Sequence, residues 1–440
     1  MKSINNYIDK IVDLKAQRAK RMTQLNATLL ELKVSEDQQN ILRNELNRRE
    51  TENLRQLRQK VGPDSYEKIT TLGHGGYGQV FLVRYKQTKQ LYAMKVQSKA
   101  LMTQRKQLHQ VRAERDLMAS SFSNWVIKLQ ATFQDEQDLY IVMEYSPGGD
   151  LMGLLMRQNT FPEAVARFYT AEIIEAFNDL HKNNVIYRDG KPDNILITST
   201  GHIKLTDFGL SCRASEYIPP PLCACDHENN ENTEENINKQ GICSICGKQI
   251  QIENAPKSHS RLQAFSTVGT QNYTAVEVLR AKGYTEKCDF WAAGCILFEC
   301  LFGYPPFQSQ SWKETKKRIL YYQKYLEIPN GVSKVCEDFI RRLICEPEIR
   351  MGYNEVISHP FMQNIDFKNL HKCKAPFIPK LKSEIDTAYF DQAGEEVKQA
   401  FSSDKWWDDT AFNGYSHRAF PQTQVGHKDR PSLRGLFDHK

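Results

Sequence analysis

Apolar positions recur at helical spacing over residues 1–62: Ile4, Ile8 and Ile11, then Leu25, Leu29 and Leu32, then Ile41, Leu42 and Leu46. Ser35 followed by Gln38 resembles a capping box, which predicts two helices broken near Val34, and Gly62-Pro63 stops the second. From Tyr66 the period changes to alternation. KITTLGHGGYGQVFLVRY reads as strand, glycine turn, strand, and LYAMKV and LYIVMEY continue the pattern. Long amphipathic segments then dominate from Leu151 to Phe361, so a sheet-rich half precedes a helix-rich half. Residues 211–260 are polar, rich in Asn and Glu and bracketed by cysteine pairs, the marks of an insertion; residues 362–440 have little periodicity and read as an extended tail.

The composition, 40% hydrophobic and 25% charged over 440 residues, is that of a folded chain. No apolar run reaches the roughly 20 residues that cross a bilayer, and the N-terminus lacks the apolar stretch of a secretory signal, so the expected location is the cytosol or nucleus. The 11 cysteines then point to reduced thiols or metal ligands. The net charge of +6 comes with no nucleic-acid-reading module. Arg18, Lys20, Arg21, Arg43, Arg48, Arg49, Arg55 and Arg58 stud the N-terminal helices, which leaves two readings: a solvated hairpin packed on the next domain, or a docking surface for an acidic partner.

Gly73-His74-Gly75-Gly76-Tyr77-Gly78-Gln79-Val80 sets glycines where backbone amides can cover nucleotide phosphates without side-chain interference. Dinucleotide folds also use such a pattern, but their glycines lead into a helix, whereas strand-like VFLVRY follows here. Lys95 ends the next strand and Glu114 lies in a helical stretch after it; an ion pair between them would hold the lysine against α- and β-phosphates. The most specific stretch is Tyr187-Arg188-Asp189-Gly190-Lys191-Pro192-Asp193-Asn194, with Asp207-Phe208-Gly209 following thirteen residues after Asn194. Phosphoryl transfer needs a carboxylate to orient a hydroxyl and accept its proton, together with ligands for Mg²⁺. Asp189 suits the first role, Asn194 and Asp207 the second, and Lys191 is placed to steady the moving phosphoryl group.

These residues resemble the eukaryotic protein kinases, and further segments resemble their AGC group: Met143-Glu144-Tyr145 with Pro147-Gly148-Gly149-Asp150 at the hinge, Gly303-Tyr304-Pro305-Pro306-Phe307, and Pro376-Phe377-Ile378-Pro379 in the tail. Within that group Arg112-Ala113-Glu114-Arg115-Asp116 and Ala264-Phe265-Ser266-Thr267-Val268-Gly269-Thr270 are most similar to the NDR/LATS branch. The resemblance implies an α+β bilobal kinase fold, with a β-rich small lobe and an α-helical large lobe over residues 66–361, an N-terminal helical region over 1–62 and an AGC tail over 362–440. It implies ATP and Mg²⁺ as cofactors. Nucleotide contacts then fall on Leu72, Gly73, Gly75, Gly76, Tyr77, Gly78, Val80, Ala93, Lys95, Glu144, Tyr145 and Asp150, and Thr270 joins the catalytic set. It further implies a Mob-type coactivator on the N-terminal helices and an upstream kinase acting on Ser416, within Phe412-Asn413-Gly414-Tyr415-Ser416-His417; Ser266 aligns with the activation-loop phosphosite. A phosphate on Ser416 would dock the tail on the small lobe and steady the Lys95 and Glu114 pair. Asp150, Asp193 and Glu299 match positions that contact basic side chains upstream of the acceptor, so Arg or Lys before the target Ser or Thr is expected; the alternatives for these acids are structural roles or the ATP ribose.

The chain also departs from the pattern. Gly190 stands where leucine is usual, which predicts a looser catalytic loop and lower activity. Gln271-Asn272 replaces Pro-Asp, and Val276 replaces proline in Ala275-Val276-Glu277, although Thr270, Tyr273 and Glu277 remain and Glu277 is expected to pair with Arg350. In the insertion, Cys223, Cys225, Cys243 and Cys246 form two thiol pairs near His227; a structural zinc site and a loop with free thiols are both open. The leading expectation is an active kinase. Its rivals are a pseudokinase scaffold and a zinc-dependent interaction platform.

Overall fold

The structure is a computed structural model that describes residues 35–58, 61–75, 78–105, 108–120, 123–213, 270–280, 285–390, 412 and 415–418, with some positions between 19 and 29. Helix α1 (Glu36–Arg58) begins directly after Ser35, at the break expected from the capping pattern. Arg43 Nε donates to Asn26 Oδ1 at 2.9 Å, which ties it to the helical residues before the break.

The small lobe is an antiparallel sheet of β1 (Tyr66–Gly75), β2 (Gly78–Tyr85), β3 (Leu91–Ser98), β4 (Leu129–Gln134) and β5 (Asp138–Glu144) in the order 1-2-3-5-4. Helices α2 (Lys99–Gln104) and α3 (Leu108–Ser120) connect β3 to β4. On α3, Val111, Glu114, Leu117 and Met118 share the buried face, three or four residues apart, so a carboxylate is carried into an apolar setting. A tenth strand β10 (His417–Arg418) adds to the free edge of β4. The sequence led to no strand in this tail.

The large lobe follows as α4 (Leu151–Gln158), α5 (Glu163–Lys182), the two-stranded pairs β6 (Val185–Ile186) with β9 (Cys212–Arg213) and β7 (Ile195–Ile197) with β8 (Ile203–Leu205), then α6 (Val276–Leu279), α7 (Lys287–Phe302), α8 (Trp312–Leu320), α9 (Tyr322–Tyr325), α10 (Lys334–Leu343) and α11 (Tyr353–Ser358). Helix α7 is apolar on nearly every face and is accordingly the lobe's buried axis; it ends at Gly303, whose left-handed backbone (φ 81) caps it. Glu277 and Arg350 meet in a bidentate pair of 2.6 and 2.8 Å, fully enclosed, as expected. No helix among the described residues is long and apolar enough to cross a membrane.

Candidate active site

The β1–β2 hairpin brings Gly75 opposite Gly78 and Val80 opposite Lys95 of β3. A side chain at Gly78 would strike the Val96 carbonyl oxygen at 1.8 Å, so this glycine is required by the close approach of β3. A Cβ at Gly73 would meet nothing within 4 Å, Leu72 and Ala93 are buried in the same sheet, and Gly76 and Tyr77 lie outside the described residues.

Lys95 Nζ stands 2.8 Å from Glu114 Oε1 and 3.6 Å from Asp207 Oδ2. Burial works to lower the affinity of the Lys95 amine for its proton, but the charges of Asp207 and Glu114 outweigh it and hold the ammonium above the usual lysine range. Asp207 shows the converse: the Lys95 charge keeps it ionised to lower pH than an ordinary aspartate. Burial pushes Glu114 up, and Asp207 adds to that. Glu114 is only 3% exposed, whereas the Asp207 carboxylate is 46% exposed and faces open space.

Across the cleft, Asp189 Oδ2 accepts from Asn194 Nδ2 at 2.6 Å and lies 3.1 Å from Lys191 Nζ. Burial raises the Asp189 pKa, Lys191 offsets part of this, and Asp207 raises it further, so the two aspartates feel each other's charge. Both contacts fall on Oδ2 rather than Oδ1. The loop is fastened from below by Asp289 of α7: its carboxylate accepts from the amides of Tyr187 (2.9 Å) and Arg188 (2.8 Å) and meets His181 Nε2 at 2.8 Å. Sequence reading missed Asp289, because its partners lie about a hundred positions away.

Glu144 pairs its side chain with Lys204 (2.6 Å), and the Tyr145 hydroxyl donates to the Asp386 carbonyl (2.9 Å) while its ring stacks on Phe390, so the tail crosses the hinge. Gly149, at φ 72, has the Tyr389 carbonyl oxygen where a Cβ would sit. Asp150 caps α4, accepting from the Gly153 amide at 2.7 Å. Asp193 is exposed, and its charge reaches buried Glu299, whose carboxylate accepts from the Tyr273 hydroxyl at 2.5 Å. Thr270 opens the short turn Thr270–Tyr273; its side chain lies outside the described residues, as do Ser266, Cys223, Cys225, Cys243 and Cys246. Among the described residues no group of three or more His, Cys, Asp or Glu side chains is placed to hold a metal.

The Asp207 carboxylate and the Asn194 side-chain Oδ1 are hard oxygen donors, and Asn194 turns its Nδ2 onto Asp189, so the pair fits Mg²⁺ shared with a nucleotide phosphate. At Gly190, where the missing side chain led to the expectation of a looser loop, no empty space is left. The glycine is buried, and a Cβ there would lie 2.9 Å from Ala292 Cβ and 3.1 Å from Phe177 Cζ, so neighbours fill the space.

A glycine hairpin over a lysine–glutamate pair, facing a helix-held carboxylate loop, defines a protein kinase domain, and residues 66–224 and 249–362 match that domain. The chain is 39% identical over 412 residues to serine/threonine-protein kinase CBK1 of Saccharomyces cerevisiae, covering 88% of this chain and 54% of that protein. It is 38% identical to CBK1 of Yarrowia lipolytica, over 95% of this chain and 74% of that protein, and 39% identical to human serine/threonine-protein kinase LATS1, over 92% and 36%. The chain belongs to the protein kinase family, in the NDR/LATS branch of its AGC group. It spans about half the length of the yeast relative and 39% of Drosophila Warts.

Proposed function

We propose that this chain is an active Ser/Thr protein kinase that transfers the ATP γ-phosphate to hydroxyls in basic peptide segments. The observation that carries this is the assembled pair of clusters, Lys95 with Glu114 and Asp207 on one side and Asp189 with Lys191 and Asn194 on the other. Lys95, held charged, takes the α- and β-phosphates, and Asn194 and Asp207 hold Mg²⁺, which neutralises charge on the transferring group. Asp189 Oδ1 accepts a hydrogen bond from the acceptor hydroxyl and takes its proton, while Lys191 faces the charge that develops on the phosphoryl oxygens. Asp193 and Glu299 favour Arg or Lys upstream of the acceptor, with Asp150 nearer the ribose side.

Regulation follows the same reading. The docked tail, with Phe412 and Tyr415 buried against β4 and α3, supports Ser416 as the site where an upstream kinase locks the tail, and Ser266 as the activation-loop site. The arginines of the N-terminal region, Arg43 and Arg48 of α1 among them, suit a Mob-type coactivator with an acidic face. The test is γ-phosphate incorporation into an Arg-bearing serine peptide with Mg-ATP, with and without a Mob-type partner, against Asp189→Asn. Incorporation that rises with the partner and vanishes in the variant is expected; equal background in both proteins, with Ser416 phosphorylated, overturns the reading in favour of a scaffold.

A further inference from the structure

We propose that Gly190 is a positioning residue for Asp189: its missing side chain lets the catalytic loop rest directly on Phe177 of α5 and Ala292 of α7, and this contact sets where the base stands. The proposal rests on the phosphotransfer reading above. Where the family usually has leucine, this chain has no side chain, yet the site is not empty. A Cβ at 190 would meet Ala292 Cβ at 2.9 Å and Phe177 Cζ at 3.1 Å, with Phe177 Cε2 at 3.8 Å. The first of these is at least about 0.5 Å inside the 3.5–4.0 Å separation that carbon atoms prefer.

Neither neighbour is free to yield. Ala292 sits in α7, the buried axis of the lobe, three residues after Asp289, whose carboxylate holds the amides of Tyr187 and Arg188. Phe177 is fully buried, with its ring 5.7 Å from that of Tyr187 and 6.4 Å from that of His181, which itself bonds Asp289. The loop is thus held to α7 by hydrogen bonds at 187–188 and lies too close to Ala292 and Phe177 at 190 to admit a Cβ without a shift, with Asp189 between the two. A side chain at 190 lifts one end of this span while the other stays fixed, so Asp189 turns away from the acceptor hydroxyl. Its effect falls on the transfer step, because Lys95, Glu114 and Asp207, which hold nucleotide, lie on other elements. Misplacing a reacting group by about 1 Å costs on the order of 10²-fold in rate; a displacement of several tenths predicts about tenfold.

The test compares kcat and the KM for ATP in the full chain and in Gly190→Ala, Ala292→Gly and the double variant. Gly190→Ala is expected to lower kcat about tenfold with the KM for ATP within about threefold. Ala292→Gly in the same molecule opens the space and brings kcat back to within about threefold of Ala292→Gly alone. A parent chain without turnover sinks the kinase reading and this proposal with it. A parent with turnover, and Gly190→Ala with unchanged kcat or with a loss that Ala292→Gly does not relieve, sinks this proposal alone. If Gly190→Ala does not fold, Phe177→Leu loosens the same seat from the other side: kcat falling at constant KM supports the proposal, and unchanged kcat overturns it.

Discussion

Thr132 of β4 donates its hydroxyl proton to the carbonyl oxygen of Tyr415 at 2.7 Å, joining positions 283 apart in the chain. Gln134 Nε2 donates to the Phe412 carbonyl at 2.9 Å, and His417 and Arg418 complete the strand pairing. The small-lobe sheet therefore ends on a piece of the tail rather than on an open edge. Tyr415 lies with its ring 5.8 Å from the Arg115 guanidinium, next in sequence to Glu114, and Glu114 in turn holds Lys95. Tail docking and the lysine–glutamate pair thus share helix α3.

Removing the Thr132 hydroxyl tests this link. Thr132→Val keeps the shape of the side chain but leaves the buried Tyr415 carbonyl without that donor, at a cost of about 1–3 kcal/mol. Hydrogen exchange at whichever of the His417 and Arg418 amides faces β4 is expected to accelerate, with a several-fold loss of turnover. Unchanged exchange at both amides would mean that strand pairing alone holds the tail.

The Glu277 and Arg350 pair is the second point of strain under mutation. Both side chains are enclosed, and Arg350 also donates to the carbonyls of Cys345 and Lys287. Arg350→Met leaves Glu277 buried and unpaired, with an expected loss of about 3–5 kcal/mol in denaturant unfolding. Adding Glu277→Leu removes that orphaned charge, so the double variant is expected to be less destabilised than the sum of its singles. Strict additivity would show that the two act independently.

Glu299 supplies a pH signature. Burial, with Asp193 adding to it, raises its pKa from 4.5 to about 7, against the Tyr273 hydrogen bond that lowers it. Because the folded-state value lies above the unfolded one, the protonated form favours folding: its contribution is complete below pH 4.5 and is lost as pH rises through about 7. Glu299→Gln is expected to gain at most roughly 3 kcal/mol over the parent at pH 8 and little at pH 4. The same ionisation predicts that preference for an Arg-bearing over an Ala-bearing peptide grows between pH 6 and 8 in the parent and stays flat in Glu299→Gln. A parent preference that does not change with pH would remove Glu299 from peptide recognition.

The residues of the candidate site were legible in the sequence because each motif is local: Asp189, Lys191 and Asn194 fall within six positions, and the turn that ends with Asn194 is short, Pro192–Asn194. The strands were legible from alternation, and the start of α1 from Ser35. What stayed hidden depends on distant partners. A two-residue strand has no periodicity, so β10 exists only because Phe412 and Tyr415 find burial beside β4. Asp289 reads as one more acidic residue until two loop amides meet it. At Gly190 the sequence shows the absent side chain, but not the ring and methyl group that close in on it.

The most direct measurement is turnover of Mg-ATP by the full chain alongside its affinity for ATP, in the parent, Asp189→Asn and Lys95→Met. The geometry predicts a parent that phosphorylates an Arg-bearing serine peptide, an Asp189→Asn variant slowed by at least about 10²-fold with ATP affinity within about threefold, and a Lys95→Met variant impaired in both. A parent no faster than Asp189→Asn, while binding ATP normally, would contradict the account, since the assembled site would then hold nucleotide without transferring its phosphate.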